Sequence, residues 1–113
     1  LYKAYLGVDV PNDREGVLQD SHWAGGSIGY FPSYAIGSAY GAQYLRQMQK
    51  DFNVSAAVAT GRLTQINRWL EEKIWKYGCM KDPTPLFESV CGPFDTTCYT
   101  AYLRDKFTEV YGL

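Results

Sequence analysis

The sequence predicts an all-α chain, on three observations. Several stretches place apolar residues at helical spacing, glycine and proline fall between those stretches rather than inside them, and no stretch alternates apolar and polar residues as a half-buried strand does. The chain has 113 residues, 46% hydrophobic and 20% charged, enough to bury a core and too apolar for intrinsic disorder. One domain, or part of a larger one, suits that length.

The chain opens without methionine and in mid-pattern, as the end of a helix that Tyr5-Leu6-Gly7 terminates on glycine. Val10-Pro11-Asn12-Asp13 is a turn within a loop over about residues 8–15, since proline presets its own backbone and Asn and Asp bond to theirs locally. Ala24-Gly25-Gly26-Ser27-Ile28-Gly29 holds three glycines, which allow positive φ and close approach to the main chain. Pro32 and Ser33 are suited to open a helix that runs to about Asp51. Gly37, Gly41, Leu45 and Met48 share one of its faces, and the two glycines suggest a tight helix crossing.

Asp51 to Ser55 is expected to turn, and Ala56–Ala59 to add a short helical piece fused with the next helix. That helix spans about Thr60 to Tyr77, with Leu63, Ile66, Leu70, Ile74 and Tyr77 as its buried stripe, Glu72 and Lys76 paired on its wet side and Gly78 as its stop. Pro83 and Pro85 forbid a helix across the whole of residues 81–92, leaving a short one from Pro85 to Val90. A last helix is capped by Asp95 or Thr96, carries Tyr99, Tyr102, Leu103, Phe107 and Val110 as its apolar stripe, and ends at Tyr111-Gly112.

Composition narrows function. With 11 Lys plus Arg against 12 Asp plus Glu the net charge is −1, so no global positive field attracts nucleic acid. No apolar run reaches the ~20 residues that span a bilayer, and Leu1 to Tyr5 lack the features of a signal peptide. Cys79, Cys91 and Cys98 are too few for a disulfide framework and lie far from the one histidine, His22; unpaired thiols in a reducing, cytoplasmic setting are expected, with no metal bound by these residues. The 10 Tyr, 5 Phe and 3 Trp exceed what packing alone needs and point to a cleft or an interface.

No complete active site can be assembled from these residues: there is no H-E-x-x-H helix, phosphate loop or nucleophile elbow. What stands out is Gln19-Asp20-Ser21-His22-Trp23, followed closely by Gly29-Tyr30-Phe31-Pro32-Ser33-Tyr34. Judged alone, His22 is a buried histidine bonded to Asp20 or Gln19, those two either orient it or cap a turn, and Trp23 and Phe31 anchor a core. Tyr40 and Tyr44 are packing residues, and Arg46, Arg62, Arg68 and Arg104 occupy wet faces.

The cluster resembles the carboxypeptidase Taq family of zinc-dependent metallocarboxypeptidases. Gly16, Gln19, Asp20, His22 and Trp23 meet its G-x-x-Q-D-x-H-W signature, Gly29 through Tyr34 its G-Y-F-P-[ST]-Y stretch, and Tyr102 to Phe107 with Tyr111 look like its C-terminal helix. The resemblance covers essentially all 113 residues and implies the C-terminal part of the catalytic domain of an elongated, mainly helical, zincin-type metallopeptidase. The family's zinc ligands, both histidines of H-E-x-x-H and a downstream glutamate, and its I-R-x-x-A-D element do not occur in this chain. Implied with it are removal of single C-terminal residues from peptides with a free C-terminus, zinc or another divalent metal such as cobalt in the full-length parent, a missing N-terminal part, a homodimer, and an inactive fragment. By similarity His22 and Tyr34 are catalytic, donating to the oxyanion or to substrate backbone, and Tyr30, Gln19 and Asp20 contact substrate. The alternative is a non-catalytic helical module that binds a peptide or another copy of itself.

Overall fold

A computed structural model describes all 113 residues, as helices and turns without a strand. The helices are α1 (Tyr2–Leu6), α2 (Ser21–Ala24), α3 (Pro32–Asp51), α4 (Val54–Ala59), α5 (Leu63–Lys73), α6 (Pro83–Cys91) and α7 (Thr97–Tyr111). Three short 3-10 turns lie at Asp13–Glu15, Val17–Gln19 and Trp75–Tyr77. The chain divides into two compact units, Leu1–Tyr34 and Ala35–Leu113. No helix is long and apolar enough to cross a membrane.

In the first unit, Gly7 closes α1 in the left-handed region, as the glycine stop requires. The expected loop after it contains a 3-10 turn, because Asn12 Oδ1 accepts from the Glu15 amide at 3.1 Å and so satisfies an orphan donor. Lys3 and Asp9 form an ion pair on the surface. Of residues 1–34 only Gly16 is buried. Trp23 and Phe31, expected as core anchors, are instead 63% and 60% exposed.

The second unit packs around the inner face of α3. Phe87 is completely buried; Tyr40 stacks on it at 4.0 Å between ring centroids, and Tyr44 and Phe94 meet it at 5.2 and 6.0 Å. Tyr40 and Tyr44 are thus the packing residues the sequence suggests. Burying a ring of this size contributes roughly 1.5–3 kcal/mol. Beside it Met48, Val54 and Trp69 form a second cluster against Ile66, Leu70, Ile74 and Val90. The indole N–H of Trp69 donates to Asp51 at 2.7 Å, so its one polar atom is not stranded.

Gln43 is the buried polar residue of this core. Its Oε1 accepts from the Asp95 amide at 2.9 Å and its Nε2 donates to the Pro93 carbonyl at 2.8 Å. One side chain therefore satisfies two main-chain groups of the connection between α6 and α7, groups that could not otherwise be buried cheaply.

Several sequence expectations need correction. The helix expected over Thr60–Tyr77, fused with Ala56–Ala59, is two helices and a turn. Gly61, at φ 69°, lets the Arg62 amide fold back to the Ala57 carbonyl at 2.8 Å, and α5 then ends at Lys73. Leu63 falls in the exposed first turn, and Trp69 occupies the core in its place. Lys76 lies beyond the helix with its ammonium 5.2 Å from the Tyr77 ring centroid, so the Glu72–Lys76 pair does not form. Helix α6 starts at Pro83 rather than Pro85, because both prolines fit within a first turn whose amides need no intrahelical partner.

Helix α3 matches its expected limits, yet a methyl group added at Gly37 or Gly41 would meet nothing within 4 Å, so no tight crossing occurs there. On α7, Tyr102, Phe107 and Val110 of the expected stripe are exposed while Cys98 is buried. Arg46 is not simply solvated, since its guanidinium donates to Cys98 Sγ at 3.2 Å. All three cysteines are free thiols, and desolvation pushes the Cys91 thiol up to about 11.

Candidate functional site

The site is built within Leu1–Tyr34. Asp20 is the N-cap of α2: its Oδ1 accepts from the His22 amide at 2.9 Å, and the same oxygen lies 2.6 Å from His22 Nδ1. The two-residue spacing accounts for both contacts, since an N-cap carboxylate reaches the amide two positions on and the side chain of that residue starts beside it. The backbone amide of His22 is the largest influence holding the Asp20 carboxyl below its ordinary value of 3.8, followed by the ring. With a carboxylate on Nδ1, that nitrogen carries the proton, which leaves Nε2 for another partner.

The glycine segment then folds back over α2. Gly26 and Gly29 have φ of 81° and 76°, a region that side chains with a Cβ avoid, and the Ser27 amide donates to the His22 carbonyl at 2.8 Å. This double reversal delivers three aromatic rings to His22: Tyr30, Phe31 and Tyr34, with centroids at 5.3, 5.6 and 5.9 Å from the imidazole. Tyr30 and Tyr34 meet edge to face at 5.6 Å, and the neighbouring Tyr30 holds the Tyr34 phenol above its ordinary value of 10.0. Tyr34 therefore remains a hydroxyl donor through neutral and moderately alkaline pH. The His22 side chain is 25% exposed, and Tyr30 and Tyr34 are 50% and 55% exposed, so these polar atoms are reachable.

A concavity of about 540 Å³ opens beside this group, lined by Tyr2, Gln19, Asp20, Ser21, His22, Trp23, Phe31 and Pro32. Gln19 also holds the preceding turn, its Nε2 donating to the Arg14 carbonyl at 2.6 Å. Of the residues singled out in the sequence, Asp20, His22, Tyr30 and Tyr34 are thus brought together, with Gln19 on the rim and not bonded to the imidazole. Phe31 was missed as a partner of His22; its place between two tyrosines, next to a helix-opening proline, is the signal that was available. Tyr2 lies twenty positions from His22 on α1, and no local pattern points to it.

The group can donate hydrogen bonds from an oriented imidazole and from phenols to an oxygen of a ligand, a set suited to an oxyanion or a peptide carbonyl. It does not fit a metal site. No three His, Cys, Asp or Glu side chains converge anywhere in the chain, and the one imidazole has Nδ1 committed to Asp20.

Comparison with known proteins agrees with the signature letters. The family profile of the carboxypeptidase Taq (M32) metallopeptidases matches residues 1–107. Carboxypeptidase 1 of Bacillus subtilis (strain 168) is 39% identical over 112 residues, covering 97% of this chain and 22% of that protein. Thermostable carboxypeptidase 1 of Pyrococcus furiosus is 36% identical over 104 residues, 90% of this chain and 21% of that protein. A solved structure titled "The Structure of CHT" superposes with a TM-score of 0.88 at 38% identity, covering 94% of this chain and 22% of the other. The chain thus spans about a fifth of the length of the relatives it matches.

Proposed function

The chain belongs to the carboxypeptidase Taq (M32) metallopeptidase family, and from that premise we propose that residues 1–113 are the C-terminal part of the catalytic domain of a carboxypeptidase releasing single residues from peptides with a free C-terminus. The observation that carries this reading is the imidazole of His22, anchored at Nδ1 by Asp20 and ringed by two accessible phenols at the edge of a peptide-sized concavity.

In the proposed reaction His22, through Nε2, and Tyr34, through its hydroxyl, donate to the scissile carbonyl oxygen as negative charge develops on it. Tyr30 positions Tyr34 and contacts the peptide. Asp20 fixes the imidazole, and Gln19 and Asp20 meet the substrate along the rim. Donors held in place before reaction act mainly on the transition state, where charge is greatest. A divalent metal, zinc or cobalt, supplies carbonyl polarisation and an activated water in this chemistry. The residues of this chain do not form its site, so its ligands belong to other segments of the whole protein, and this piece alone has no peptidase activity. A cytoplasmic homodimer completes the reading, by resemblance to the family.

The test is Tyr34→Phe in the whole protein. We expect kcat to fall about a hundredfold while KM changes little, because a donor used only in the transition state is lost. An unchanged kcat removes Tyr34 from the mechanism. Metal analysis of the 113-residue piece is expected to find no stoichiometric zinc, and one tight ion per chain would overturn the division of labour.

A further inference from the structure

We propose that the aromatic wall opposite the Asp20–His22 pair is a side-chain pocket, and that it selects peptides carrying a bulky apolar residue next to the scissile bond. This rests on the carboxypeptidase reading and deepens it. Trp23 and Phe31 are 63% and 60% exposed, and both line the concavity that His22 and Asp20 also line. Large rings left open singly on a surface need no explanation, but two of them facing a polar pair inside one concavity of about 540 Å³ have the composition of a ligand site: mostly apolar walls with a few converging polar groups.

Charge decides which side chain fits. No lysine or arginine lines the concavity, so neither an acidic side chain nor the terminal carboxylate of a peptide finds a cation there. The one carboxylate, Asp20, already accepts from the amide and the ring of His22, so a basic side chain finds its counter-charge committed. What remains is apolar area. An aromatic or branched aliphatic side chain removes the faces of Trp23 and Phe31 from water and meets ring edges at favourable geometry, whereas alanine covers little of either. A shared wall with His22 also places such a side chain beside the carbonyl that the donors address.

The experiment compares kcat/KM of the whole protein on blocked peptides that vary at the last and the penultimate residue among Phe, Leu, Ala, Asp and Lys. Wild type is expected to favour Phe and Leu over Ala, Asp and Lys by about tenfold or more at one of the two positions, the scale that a few methylenes in an apolar pocket provide. Phe31→Ala and Trp23→Ala should each collapse the Phe-to-Ala ratio, and Phe31→Arg should turn the preference toward Asp. Ratios unchanged in these variants, or an equal loss on every peptide, would overturn the proposal and make the wall a packing surface for other parts of the protein. If the alanine variants do not fold, Phe31→Leu keeps the volume and must still lower Phe relative to Leu. Failure of the wild-type protein to cleave any peptide defeats the enzymatic reading instead. Calorimetric binding of N-acetyl-phenylalanine against N-acetyl-aspartate then tests the pocket separately, and equal affinities reject it.

Discussion

Residues 1–34 and residues 35–113 use the same amino acids for opposite purposes. In the first unit Tyr30, Phe31 and Tyr34 gather around a histidine and stay about half exposed; in the second Tyr40, Tyr44 and Phe94 gather around Phe87 and bury it completely. The two clusters have comparable ring spacings, so ring contact alone does not distinguish a core from a site. The difference lies in what else surrounds them. Helices α3, α4, α5 and α6 supply the apolar side chains of the second unit's core, while two short helices and two 3-10 turns leave one wall of the first cluster open. An aromatic cluster that the local chain cannot enclose is available to a ligand or a partner.

The largest effect that tests this contrast is a paired truncation. Phe87→Ala should destabilise the chain by about 3–5 kcal/mol, the usual result of emptying a ring-sized space in a core, whereas Phe31→Ala should stay within about 0.5 kcal/mol. Urea denaturation of both variants reads the difference, and similar losses would break the distinction between the two clusters.

A smaller effect is expected from Gln43→Leu. This change keeps the apolar volume but strands the Asp95 amide and the Pro93 carbonyl, costing about 1–3 kcal/mol, with hydrogen exchange quickening first between α6 and α7. Unaltered exchange there would show that water replaces the lost bonds without penalty.

The smallest concerns protons. Asp20 is held below 3.8 chiefly by the His22 amide and Asp95 below 3.8 chiefly by the Thr97 hydroxyl, one in each unit. A carboxyl with a depressed folded value lends stability that is complete above its unfolded value and disappears as pH falls through the folded one. Both contributions should therefore persist at pH 5 and vanish only below 3.8. Carboxyl carbon chemical shifts followed through acid give the two midpoints, and a midpoint for Asp20 at or above 3.8 would detach the imidazole from its anchor.

Much of this was legible in the letters. Pro32 and the Asp51–Asn53 turn set the limits of α3, and Asp20 two positions before His22 gives the cap and the ring contact, because each depends on a hydrogen bond or a backbone preference spanning a few residues. Gly61 was passed over as the break between α4 and α5, since a single glycine inside a helical pattern is compatible with either outcome until the Arg62 amide is seen to turn back. Leu63 and Trp69 exchanged roles for a related reason: periodicity orders residues around a helix but does not say which arc of it faces Met48 and Val54.

The chain by itself therefore determined where helices begin and end, that no strand forms, and which polar pair sits at the head of α2. Only the tertiary structure decided that Tyr40 is buried and Tyr34 accessible, that Tyr2 borders the same concavity as His22, and that Gln43 ties down a connection about fifty positions away. Local geometry is written in neighbouring residues. Burial depends on which distant surfaces arrive to exclude water, and a tyrosine carries no mark of whether any will.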